Sequence, residues 1–133
     1  MIRRTITLAA LALSSCATPA PAQTPALTQQ ATALPHAFEA GWKGEKVCES
    51  LFENDKLRAG RCTFPPGVGH ERHFHRPHWG YIVTDSTMRI TDASGTNVRV
   101  LKAGTSWWSD GIAWHQAVNI GETTGVYIIY EPK

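Results

Sequence analysis

From Trp42 to Lys133 the chain is cut into short runs of β-formers by closely spaced turn signals, and no stretch carries the apolar period of an amphipathic helix. Runs at 47–52 and 57–64 flank Asn54, Asp55 and Lys56, a hairpin signal. A run at 70–75 follows Pro65, Pro66 and Gly67. It stops before Pro77, which has no N–H to give a central ladder. Further runs at 79–84, 87–91, 98–101, 105–109, 113–119 and 125–131 are parted by turns at or near Gly95, Gly104, Gly111 and Gly121. Many short strands at this spacing predict an all-β sandwich or barrel. Residues 34–42 read as a single helical turn ahead of it.

Four of the six histidines, His70, His73, His75 and His78, fall within nine residues. His73 and His75 are two apart, so on a strand they point to one face. Neutral imidazoles side by side suit Zn, Cu, Fe and Ni, and such a pair makes half of a metal site. His115 lies far along the chain in another β-like run and is the third candidate ligand. The alternative for each is a solvent-facing histidine on an edge strand. The metal reading requires a fold that sets two distant strands side by side.

The spacing of these residues resembles two motifs of the cupin superfamily. In the first, Gly67 is followed by five residues and then by His73 and His75. In the second, Gly104 is followed by five residues, a turn at Asp110, Gly111 and Ile112, then His115 and, four positions later, Asn119. The resemblance covers roughly residues 47–132. It implies a cupin-type double-stranded β-helix, a jelly-roll barrel, with His73, His75 and His115 holding a divalent transition metal (Fe, Mn, Zn or Ni) near its open end. The chain departs from the motifs at two points. Asp110 and Ile112 replace a proline and a glycine, and the usual carboxylate slot falls on Trp79 or Gly80, with the run after it favouring Trp79. A neutral three-histidine set would remain, as in the thiol dioxygenases of that superfamily, with Trp79 shaping the pocket. A bulge beside Pro77 would bring in His78 as a fourth ligand, whereas His70 would need a different register. Arg58, Arg61, Arg72 and Arg76 are near the first motif and are candidates to meet a substrate carboxylate. Asn119 is expected to bond backbone in the turn after its strand.

Ahead of the barrel, Arg3 and Arg4 precede an apolar run at 6–13 that is too short to span a bilayer. Residues 1–15 read as a signal peptide ending at a lipobox-like site, with Cys16 lipidated. Ordinary cleavage after residue 22 is the alternative. Residues 16–41, poor in charge and rich in Ala, Pro, Thr and Gln through most of their length, read as a flexible tether, and residues 42–133 as the one domain. Export to an oxidising compartment permits a disulfide. A three-residue hairpin loop would set Cys48 opposite Cys62, closing a loop worth about 3 kcal/mol in the chain-entropy model. Two small buried thiols are the alternative.

Arg3 and Arg4 account for two of the thirteen basic side chains, so the chain beyond them carries eleven against eleven acidic ones. With no basic run and no aromatic–basic stripe, nothing points to a nucleic-acid partner, and none is expected. The expected partner is a small molecule, with membrane contact only through a lipid anchor, periplasmic localisation, and a homodimer allowed. Three functions fit: a metal-dependent oxidoreductase or dioxygenase, a non-catalytic module that binds a metal or small ligand, and a metal-dependent isomerase or lyase.

Overall fold

Period-two alternation becomes antiparallel sheet wherever one face can be buried, and among the described residues it builds two sheets from nine of eleven strands. A computed structural model describes residues 33–133. The expected signal peptide, Cys16 and most of the tether lie outside the described residues. The strands are β1 (Gly41–Trp42), β2 (Glu45–Lys46), β3 (Cys48–Glu53), β4 (Leu57–Phe64), β5 (Gly69–His75), β6 (His78–Ile82), β7 (Ser86–Asp92), β8 (Gly95–Leu101), β9 (Ser106–Ser109), β10 (Ile112–Asn119) and β11 (Gly125–Pro132). One sheet runs β5-β10-β7-β8 and the other β3-β4-β11-β6-β9. The inner faces meet in a core that includes Cys48, Cys62, Phe64, Met88 and Ala117. This is the jelly-roll architecture, all-β, with sequence-distant strands adjacent.

The hairpin β3–β4 holds two irregularities that cancel. Glu53 pairs with Arg58, one position beyond a three-residue loop, because the Asn54 side chain accepts from Lys56 N–H and Leu57 N–H and widens the turn. An extra residue, Leu51, is then bulged out between Ser50 and Phe52 and restores the register. Cys48 therefore sits directly opposite Cys62, and their sulfurs are joined as a disulfide.

Residues 35–40, expected to end the tether, are packed into the domain. Ala37 N–H donates to Phe74 O and Phe74 N–H to Pro35 O, covering the otherwise open edge of β5. Glu39 and Ala40 both donate to His36 O, a single turn narrower than the one expected over 34–42. Phe38 lies where Gly60 has no Cβ. The boundary at 42 is thus too late: an edge strand with free N–H and C=O groups takes the nearest chain as its partner.

Candidate metal centre

β5 and β10 pair so that His115 lies opposite His73. One extra residue in β5 on one side of this pair, and one in β10 on the other, shift the register twice. Such bulges re-aim side chains, and here they point His70, His73, His75 and His115 into the barrel. The Nε2 atoms of His73, His75 and His115 form a triangle with sides of 2.9, 3.0 and 2.9 Å. These three residues are grouped as one potential metal set.

The tautomer of His73 fits ligation. Its Nδ1 meets Glu71 O, and a carbonyl only accepts, so Nδ1 carries the hydrogen and Nε2 presents its lone pair to the centre. Burial, reinforced by neighbouring histidines, pushes His73 down to about 2 and His75 lower still. Burial and His78 push His115 down to about 4. All three are therefore neutral imidazoles at physiological pH, the form that binds metal. Three nitrogens within 3.0 Å of one another, one with its lone pair directed inward, fit a single divalent ion at the usual N–metal distance of about 2.1 Å.

His78 reaches the same interior from β6. It is fully buried, and its Nδ1–H donates to Arg76 O at 2.8 Å, leaving Nε2 free. It groups not with the first set but with His75 and Glu131. His70 stacks on His73 with ring centroids 3.7 Å apart. The bulge in β5 supplies the different register that His70 needed, and its buried Nε2 has no hydrogen-bond partner.

Trp79 does not line the pocket. It is 37% exposed and packs outside the barrel on Tyr81 and Tyr130. Alternation explains this: β6 turns His78, Gly80 and Ile82 inward, so Trp79 must face out. The inward slot position is Gly80, and the space a side chain would take there is filled by the indole of Trp107 from β9. Trp107 stands edge-on to His78 and Tyr127 and lines the cavity that Trp79 was expected to shape.

His70, His75, His78 and His115 open on a cavity of about 510 Å³ between the sheets, whose walls include Met88, Ile90, Leu101 and Tyr127. Arg99 is its lone lysine or arginine, and Asp92 and Arg99 are its charged pair of acid and base. Burial raises Tyr127 to about 12, keeping it a neutral phenol 3.2 Å from Ser86 Oγ. A more open hollow of about 1010 Å³ against β3 and β4 is lined without any histidine and carries no convergent ligand set.

None of the arginines expected at the substrate lines this cavity. Arg58 pairs with Glu53, Arg61 with Glu49, Arg72 lies on the Trp114 ring, and Arg76 is exposed in the β5–β6 turn. Sequence reasoning missed Arg99 and Glu131. The signal was the alternation itself. Arg99 shares a face with Leu101, and Glu131 a face with Tyr127 and Ile129, which line the cavity. Asn119 is fully buried; its side chain donates to Phe64 O and Thr123 O and accepts from Gly121 N–H, closing the turn after β10.

Against solved structures, the chain is similar to a cupin domain from Bordetella pertussis (TM-score 0.62, 20% identity, 75% of this chain and 96% of that one). It is also similar to an RmlC-like cupin from Shewanella frigidimarina (TM-score 0.50, 24% identity, 71% and 83%). A third is the polyketide cyclase RemF from Streptomyces resistomycificus (TM-score 0.54, 15% identity, 71% and 73%). No family profile matches the sequence, and no curated protein matches it. The chain has the cupin fold. Its three converging imidazoles make it a cupin-fold chain with a potential metal centre.

Proposed function

We propose that the chain is an exported metal-dependent oxidoreductase acting on a small anionic molecule, with His73, His75 and His115 as ligands. The observation that carries this reading is the convergence of three neutral Nε2 atoms at 2.9–3.0 Å beside a small-molecule-sized cavity whose wall includes His75 and His115. A bound divalent ion supplies Lewis acidity and, for iron or manganese, electron transfer. The protein supplies the rest. Glu71 O fixes the His73 ring, and neutral ligands leave the ion's charge undiminished, which favours an anionic substrate. Arg99 offers that anion a second contact at the wall. The Tyr127 hydroxyl is held protonated and can donate a hydrogen bond. Trp107 and the aliphatic walls exclude water around the bound molecule. The Cys48–Cys62 bridge supports the export reading.

The test is the metal content of the purified full chain. Bound divalent metal is expected, and His73→Ala and His115→Ala should each weaken its retention; unchanged retention in both variants rejects the site. Oxygen uptake by iron-loaded protein with thiols and small carboxylic acids then separates turnover from mere binding. A metal-bearing protein that consumes none with any of them is a binding module.

A further inference from the structure

One buried acidic group has no part in the chemistry proposed for the three-histidine centre. Glu131 is 3% exposed and faces into the barrel from β11. Its carboxylate accepts from His36 Nε2, at 3.0 Å to one oxygen and 2.9 Å to the other. His36 Nδ1 accepts from Phe38 N–H at 3.3 Å, which puts a ring hydrogen on Nε2, toward the carboxylate. Among the described residues no lysine or arginine pairs with Glu131. A buried carboxylate with a single side-chain partner keeps lone pairs open to a cation.

Two further donors stand beside it. His78 has its Nδ1–H committed to Arg76 O, so Nε2 is a free lone pair. His75 gives Nε2 to the first set, and its Nδ1 is buried with no hydrogen-bond partner. One ligand atom from each of His75, His78 and Glu131 lies within 4.8 Å of the others. Two imidazoles and one carboxylate are a complete donor set for a divalent transition ion with open positions. The carboxylate would also offset part of the ion's charge. His36 is then the residue that orients the carboxylate from behind, as a hydrogen-bonded partner of a ligand does.

We propose that His75, His78 and Glu131 form a second divalent-cation position that competes with the first for His75, since a neutral imidazole has one lone pair to give. It goes beyond the proposed oxidoreductase function, because His78 and Glu131 have no part in that reading and His73 and His115 have none in this one. The cupin carboxylate slot is empty on β6, and the carboxylate arrives instead from the last strand.

The full chain, stripped of metal, is titrated with Zn(II) and with Co(II), reading bound equivalents after dialysis and the visible Co(II) spectrum. The double variant His73→Ala/His115→Ala is expected to retain one equivalent. Adding Glu131→Gln should weaken that binding by at least about tenfold and change the Co(II) spectrum. His78→Ala on the same background should do likewise, and serves where the Glu131 variant does not fold. If the wild type binds metal and the double variant binds none, the second position is overturned and the first stands. If binding survives the double variant but is lost with Glu131→Gln alone, the first reading falls and the second stands. A wild type that binds neither ion overturns both.

Discussion

The histidines at the centre differ by what each second nitrogen does. His73 is anchored through Nδ1 to a backbone carbonyl, His78 likewise, whereas His75 leaves Nδ1 unsatisfied in the interior. Burial holds His70 and His115 down to about 4, from an ordinary 6.5. The unfolded chain takes up protons below about 6.5 that the folded chain cannot, so this stability is present above pH 6.5 and is lost as pH falls toward 4. Metal-free protein should therefore show a lower urea midpoint at pH 5 than at pH 7; an unchanged midpoint rejects the buried neutral state. Gly80 is a second single-residue determinant. Gly80→Ala drives a methyl into the Trp107 indole and should cost about 1–3 kcal/mol, read by chemical denaturation. Arg99→Leu should raise the KM for an anionic substrate while leaving bound metal unchanged, which steady-state kinetics and metal analysis together distinguish. The convergence of His73 and His75 was legible because spacing alone put them on one face, whereas His115 was reached through the second motif. Trp79 was misplaced because a slot was counted along the chain where alternation, read on the strand, turns it outward.

Strand existence was legible from punctuation, and strand irregularity was not. The Leu51 bulge and the widened Asn54 turn leave no mark in hydrophobic period, since each adds one residue and the second undoes the first. The bulges that flank His73 and His115 are equally silent, yet they place His70 inside. Hairpin β3–β4 is stapled where its register is restored. Replacing both cysteines by serine should lower stability by about 3 kcal/mol in the chain-entropy model, measured by denaturant unfolding of the oxidised wild type against the variant. A difference near zero would show that the hairpin is held by its ladder alone.

The whole molecule depends on a contact between the two ends of the described segment. Residues 35–37 cover the β5 edge, and His36 reaches Glu131 on β11, ninety-five positions away. A chain started at Ala33 should match the full chain in thermal stability. A chain started at Trp42 should unfold at lower temperature and associate through the bared edge, as seen by light scattering. Equal behaviour of the two truncations would return residues 33–41 to the tether. This boundary was hidden because a short, proline-bearing segment with one charge, Glu39, looks the same whether it is solvated or lies against an edge. The His36–Glu131 contact also sets an order in time. At the usual pace of translation, roughly 5 to 20 s separate the synthesis of the first residue from that of the second. During that interval the carboxylate does not yet exist, and no cation can be captured at Glu131 by a nascent chain. An ion at this proposed position would therefore be bound only after Glu131 is made, from whatever compartment the chain then folds in.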